Sequence, residues 1–254
     1  MVGKAKTKED QIFPEIIQYV EQLEKTGRVD EGWYQVLRQS LSEIARTNVR
    51  FADIRRSYLA SLSGKTADHE AAVKNLIANN HWADAQLEKY GHLLNHGYAS
   101  EAFKYGLEVI ENRHITMAMD VFSAVFTNGG FQLVNNYVCT ASDRQEGLHA
   151  SPVFQKVKEV VQVMEQLNIC DMDIVKMKDV AGEILREHNR VWAGESTHVT
   201  TLNAEQGGPQ LLIEYFVGVT PAVAAQMSWD LAERLIDREL DKPGVCLNFL
   251  GIAA

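Results

Sequence analysis

Residues 171–202 read DMDIVKMKDVAGEILREHNRVWAGESTHVTTL, and this stretch favours a helical fold with an unusual core face. Apolar residues recur in it at steps of three and four, the spacing of one face of an α-helix. The same face carries His188, Glu195 and His198. Carboxylates and imidazoles normally lie at the surface, so a core position requires a partner, and a metal ion is the most economical shared one. The stretch therefore predicts one long helix with a candidate ligand cluster.

A second cluster of the same kind lies on an earlier predicted helix, from Ser100 to about Phe126. Its apolar stripe passes through His114, with Glu111 three residues earlier at the flank of the stripe. Because only a short connection joins this helix to the preceding one, we expect the two to be antiparallel. That arrangement brings Asp84 and Glu88 to the level of Glu111, so the two clusters together predict a metal site.

Both clusters also have explanations that need no metal. A buried hydrogen-bonded network or an interhelical ion pair explains His188, Glu195 and His198. A solvated helix face explains Asp84 and Glu88 equally well. Three other histidines are interpreted as surface or helix-start residues; these are His69, His92 and His96.

Long stretches of period-3.6 hydrophobicity and only five prolines predict an all-α fold, a single-domain bundle of seven or eight helices spanning residues 1–254. We expect the core bundle over residues 30–202, with C-terminal helices and an apolar tail over 209–254. No fixed-period repeat is apparent, which disfavours a solenoid. The predicted helices are Lys8–Lys25, Asp30–Leu62, Ala67–Asn95, Ser100–Phe126, Pro152–Leu167, Asp171–Leu202, Gln210–Val219 and Pro221–Leu240.

Composition limits the partners and the compartment. A net charge of −9, without a cluster of Lys and Arg, disfavours nucleic acid. The three cysteines form no Cys-x-x-Cys pair, which fits a reducing compartment. Without an apolar leader or a spanning segment, the sequence predicts a cytoplasmic protein that does not enter a membrane. The apolar tail, Val245–Ala254, predicts docking onto the body or onto a second subunit, the latter giving a homodimer.

The two Glu-x-x-His segments, Glu111-Asn112-Arg113-His114 and Glu195-Ser196-Thr197-His198, resemble those of the diiron carboxylate helical bundles. In ferritin-like members, two helices each supply Glu-x-x-His and two others supply a single acid, here Asp84 or Glu88 for the first pair. The acid expected before the second pair is less clear: Glu159 and Glu165 lie on the intervening helix, but Glu165 is too near the turn at Asn168 to reach the level of Glu195. Haem-oxygenase-like diiron oxygenases use a late helix with two histidines and an acid, which His188, Glu195 and His198 resemble with wider spacing.

The resemblance implies iron, two ions per chain, with manganese as the alternative. It implies an oxidoreductase or oxygenase that acts on a small or chain-like organic substrate inside the bundle. The alternative function is a metal-free helical module that binds an apolar ligand or another protein.

Overall fold

The computed structural model describes residues 7–26, 28–111, 125, 128–140, 152–190, 197–204 and 208–252. Along these residues the chain forms ten helices and a three-stranded sheet. The helices are α1 (Lys8–Thr26), α2 (Glu31–Ile44), α3 (Val49–Leu62), α4 (Thr66–Ala78), α5 (Trp82–Asn95), α6 (Ala99–Glu111), α7 (Phe131–Thr140), α8 (Pro152–Leu167), α9 (Asp171–Glu187) and α10 (Pro221–Asp237). The strands are β1 (Thr197–Ala204), β2 (Gly208–Val217) and β3 (Val245–Gly251). The prediction of a mostly helical chain is confirmed, but a purely all-α fold with seven or eight helices is not.

The N-terminal half is a stack of short helices with a regular spacing. Helices α2 to α6 begin at residues 31, 49, 66, 82 and 99, which are 16 to 18 residues apart. Two such helices form a unit of roughly 34 residues, the size of a repeating helical hairpin. Each helix packs on the next one, and α1 and α3 also pack on the helix after next. The structure therefore has a regular helical stack, although the sequence suggests no repeat.

Two helices predicted as continuous are each broken by an asparagine. The predicted 30–62 helix stops at Ile44, and Asn48 starts a new helix because its side chain caps α3, accepting a hydrogen bond from Phe51 N at 3.1 Å. Asn80 lies between α4 and α5 with a φ of 63°. Asparagine tolerates this left-handed conformation, which a continuing helix does not contain. The apolar stripe runs through both breaks, so periodicity alone does not show them.

The C-terminal half contains the sheet. Strands β1 and β2 are antiparallel, and β3 lies parallel to β2 on its other side. Alternate residues of β2 are buried, as expected for a strand with one face on the core. Helix α10 packs on β3, so the predicted docking of the tail onto the body is confirmed for residues 245–251. The helix predicted over residues 210–219 is wrong.

Helix α9 joins the two halves because it packs on α6, α7 and α10. Two of its carboxylates cap other helices. Asp171 accepts hydrogen bonds from Gln132 N and Leu133 N in the first turn of α7, both at 2.9 Å. Asp179 accepts from Ser100 N at 2.9 Å in the first turn of α6. Both carboxylates satisfy backbone donors that a helix start leaves unpaired. Among the described helices, none has the length and apolar character needed to cross a bilayer.

Candidate functional site

Five of the seven predicted metal ligands lie among the described residues, and these five form no group of three that could hold a metal ion. Asp84 is engaged by a bidentate ion pair, in which Arg50 Nε and Nη2 donate to its two oxygens at 2.7 and 2.9 Å. Glu111 is the last residue of α6. His114 and Glu195 lie outside the described residues. The predicted convergence of Glu111 and His114 with Glu195 and His198 stays a prediction.

The late ligand cluster does not lie on one helix, which corrects the prediction for residues 171–202. Helix α9 ends at Glu187, and His188 is its C-cap, followed by Asn189 with a φ of 52°. His198 lies on strand β1 and is exposed, at 6.0 Å from the Phe216 ring, so the prediction that it is buried is wrong. The segment Thr197–Ala204 is rich in threonine and contains a valine, residues that favour a pleated strand. Among the described residues, no three His, Cys, Asp or Glu side chains are arranged to hold a metal ion.

Glu88 takes part in a different site, a buried polar layer between α3, α4 and α5. Its carboxylate accepts a hydrogen bond from the Ser57 hydroxyl. His69 Nδ1 lies 2.9 Å from the Ser57 hydroxyl oxygen and 3.3 Å from the Ser57 carbonyl oxygen. Ser57 therefore connects the imidazole of His69 to the carboxyl group of Glu88.

The layer continues through two more histidines of α5. The His92 ring stacks on the His69 ring, with centroids 4.1 Å apart, and lies 4.4 Å from the His96 ring. Ser61 contacts both, since its hydroxyl lies 3.0 Å from His92 Nδ1 and its carbonyl accepts from His96 Nε2 at 2.8 Å. The surface interpretation of His92 and His96 is wrong, because both are partly buried. His69 does lie in the first turn of α4, as interpreted, but its side chain is buried.

Burial keeps the imidazoles neutral. Desolvation lowers the pKa of His92 to about 3, and it also lowers the pKa values of His69 and His96. Desolvation raises the pKa of Glu88 to about 7, although the Ser57 hydrogen bond acts in the opposite direction. The layer therefore contains three uncharged imidazoles beside a carboxyl group that titrates near neutrality. Stacked rings with hydrogen-bonded nitrogens make it a structural network between helices.

The serine spacing could have revealed this network. Ser57 and Ser61 are four residues apart on α3, as are His92 and His96 on α5, so each pair occupies one helix face. Two such faces with complementary donors and acceptors predict a polar contact. The serines do not stand out when the histidines are compared with acids alone.

An open groove lies on another surface of the stack, between α2 and α4 with α3 beneath it. We call it the α2–α4 groove. It has a volume of about 440 Å³. Buried Tyr34, Leu59 and Ala72 are its least exposed lining residues. The other lining residues are Gln35, Arg38, Gln39, Ser42, Arg56, Asp68, Ala71 and Asn75.

The charged groups of the groove are held in place by neighbouring side chains. Asp68 accepts a hydrogen bond from Tyr34 Oη at 2.7 Å and one from Arg38 Nη2 at 3.2 Å. Arg56 donates to Asp53 at 2.9 Å and to the Ser42 hydroxyl at 2.8 Å. A guanidinium group has five N–H donors, so each arginine retains further donors beyond these bonds. The groove therefore presents positioned polar groups over an apolar base.

Comparisons with protein-family models, with curated proteins and with solved structures found no significant match. No family membership therefore enters the interpretation of the groove or of the buried polar layer.

Proposed function

We propose that this chain is a protein-interaction module that binds an extended peptide segment in the α2–α4 groove. The observation that carries the proposal is the groove itself, an open channel along two helices whose lining combines an apolar base with carboxamide and guanidinium groups. Stacked helical hairpins commonly present such surfaces to other proteins.

The carboxamides supply the recognition of a peptide backbone. Gln35 and Gln39 are exposed on α2, and Asn75 is exposed on α4. Each carboxamide has both a donor and an acceptor, so it can pair with the C=O and N–H groups of a peptide. Residues four apart on a helix are separated by roughly 6 Å along its axis, and an extended chain advances roughly 6.6 Å in two residues. Gln35 and Gln39 thus match amides two residues apart in an extended ligand.

The arginines supply a preference for an acidic side chain. Arg38 and Arg56 are both in the groove, and Asp68 is the one acid among the residues that line it. The remaining N–H donors of two guanidinium groups favour a carboxylate, which accepts charge-assisted hydrogen bonds. We therefore expect the ligand to carry an Asp or Glu next to its extended segment.

A peptide library displayed on phage and selected on the full chain tests the proposal. We expect selected peptides to share an acidic residue and to bind in calorimetry. Gln39→Ala and Arg38→Ala should each weaken binding by about tenfold, the effect of about 1.4 kcal/mol. The matched controls are Gln18→Ala and Arg28→Ala, which change exposed residues of the same types outside the groove. Equal affinity for the groove variants and the controls would contradict the proposal.

The metal-dependent oxidoreductase predicted from the sequence stays a prediction, because His114 and Glu195 lie outside the described residues.

A further inference from the structure

Helix α10 has two apolar faces. One face packs on the sheet and on α9 and contains the buried residues Ala224, Met227, Leu231 and Leu235. The other face is exposed and contains a second apolar stripe, which we call the α10 stripe. Its residues are Ala222, Ala225, Trp229, Ala232 and Ile236.

The α10 stripe has the spacing of a helix-pairing seam. Its residues follow one another at steps of three, four, three and four, the a and d positions of a heptad. Trp229 is 74% exposed and Ile236 is 62% exposed. These two large apolar side chains, together with three exposed alanines over about four turns, form an apolar patch that points to an interaction surface.

Side-chain sizes fit a second copy of the same helix in the antiparallel direction. If the two helices cross at Trp229, Ile236 of one copy lies opposite Ala222 of the other. Ala225 and Ala232 leave room on both sides of the central tryptophans. Large residues then pack against small ones along the seam, as close packing requires.

The charge distribution along α10 also fits antiparallel pairing. Residues 221–229, PAVAAQMSW, contain no charged side chain, whereas the following half of α10 contains three acids, Asp230, Glu233 and Asp237. Its arginine, Arg234, is paired with Glu187 of α9 at 2.6 Å. An antiparallel pair places the acidic half of one helix beside the uncharged N-terminal half of the other, where the helix dipole favours negative charge. A parallel pair would place acids beside acids.

We infer that the chain forms a homodimer through antiparallel pairing of the α10 stripe with the same stripe of a second copy. This contact is separate from the α2–α4 groove, so it leaves the groove free and makes the assembly bivalent. A single pair of 17-residue helices gives a small interface, below the ~1,200 Å² of stable complexes. The dimer is therefore expected to form in the micromolar range.

Sedimentation of the full chain over a concentration series up to roughly 100 µM tests the contact, a range suited to interfaces of this size. We expect a monomer–dimer equilibrium that Trp229→Ser weakens by at least about tenfold, since central tryptophans dominate interfaces. The matched control is Trp82→Ser, which removes a tryptophan that is 55% exposed on α5. A monomer at every concentration, or equal effects of the two substitutions, would overturn the inference.

Cysteine cross-linking tests whether the two α10 helices pair in the antiparallel direction. The three exposed cysteines, Cys139, Cys170 and Cys246, are first replaced by serine. An equimolar mixture of Ala222→Cys and Ile236→Cys chains should form a mixed disulfide dimer under mild oxidation. Ala222→Cys alone should not, because the two copies of residue 222 lie roughly 21 Å apart, 14 residues at 1.5 Å each. Efficient cross-linking of Ala222→Cys with itself would indicate parallel pairing and contradict the proposed arrangement.

Discussion

Gly97 and Gly182 bring the turn between α5 and α6 into direct backbone contact with α9. A Cβ atom at residue 182 would lie 2.8 Å from the Gly97 Cα and closer still to its carbonyl oxygen. Gly97 has a φ of 67°, so it also requires the left-handed region that glycine adopts without strain. Arg186 of α9 holds the same turn, donating from Nη1 to the His96 carbonyl at 2.5 Å with its guanidinium 4.2 Å from the Tyr98 ring.

Replacing Gly182 by alanine should therefore destabilise the fold. The added methyl group meets backbone atoms, which cannot rotate away, so we expect a loss of about 1–3 kcal/mol in the free energy of unfolding. Urea denaturation followed by circular dichroism measures it. The matched control is Gly91→Ala in α5, where a Cβ would meet no atom within 4 Å. That substitution should be neutral or stabilising by up to about 1 kcal/mol, because alanine favours a helix. Equal changes in the free energy of unfolding for Gly182→Ala and Gly91→Ala would contradict the close backbone contact between Gly182 and Gly97.

Asp171→Ala tests the cap that α9 provides for α7. The substitution leaves the backbone donors of Gln132 and Leu133 without their acceptor, and Asp171 is itself buried. We expect a loss of about 1–3 kcal/mol, the cost of unsatisfied buried donors. Asp237→Ala, at an exposed position of α10, should stay within about 0.5 kcal/mol of the parent chain. A loss for Asp171→Ala no larger than for this control would show that the cap does not contribute.

Glu88→Gln tests the titration of the buried polar layer. The folded pKa of Glu88, about 7, exceeds its ordinary value of 4.5. Between these values the folded chain binds more protons than the unfolded chain, so the carboxyl group lowers stability as pH rises from 4.5 to 7. Glutamine does not titrate. We expect the stability of the parent chain relative to Glu88→Gln to fall across this window and to level off above it.

In both the parent chain and Glu88→Gln, the three histidines of the buried polar layer change the folding stability with pH in the direction opposite to Glu88. Burial lowers the pKa values of these histidines in the folded chain. Their contribution to the free energy of unfolding is therefore fully present above pH 6.5 and is lost as the pH falls below that value. Comparing the parent chain with Glu88→Gln cancels this common effect. A pH-independent difference between the two would contradict the raised pKa of Glu88.

Iron content tests the oxygenase prediction. Peptide binding requires no metal, and Arg50 occupies both oxygens of Asp84. We therefore expect protein that is loaded aerobically with ferrous iron and desalted to retain well under one ion per chain in elemental analysis. About two iron ions per chain, reduced by His114→Ala, would instead support the diiron site and its Glu-x-x-His ligands.

The helices that the sequence predicts well are those whose ends coincide with a change in pattern. The predicted 8–25 and 152–167 helices correspond to α1 and α8, and Pro221 begins α10 as a proline suited to a first turn. The sheet was missed because Leu211-Leu212-Ile213 is a short apolar run, which periodicity alone cannot assign to a helix or a strand. The pairing of β2 with β3 depends on residues more than 30 positions apart.

The candidate sites were harder to predict than the fold. The α2–α4 groove depends on how three helices pack, and its carboxamides have no pattern that distinguishes them from ordinary surface residues. A helical stripe extended through residues 188–202 predicts a core position for His198, but α9 ends at Glu187 and β1 begins at Thr197. Residues spaced three and four apart share a face only while the helix continues, because in a strand alternate residues share a face instead.

The position of α9 between the two halves has a consequence for how the molecule opens. Its carboxylates cap α6 and α7, and its glycine contacts the α5–α6 turn. Two further acids, Glu183 and Glu187, pair with arginines at the C-terminal end of α10. Exposing the amides of α9 to solvent thus requires most of these neighbours to separate at once. In hydrogen–deuterium exchange, the α9 amides should exchange only through global unfolding. Helix α1, whose main contacts among the described elements are with α2 and α3, should open independently at lower free energy.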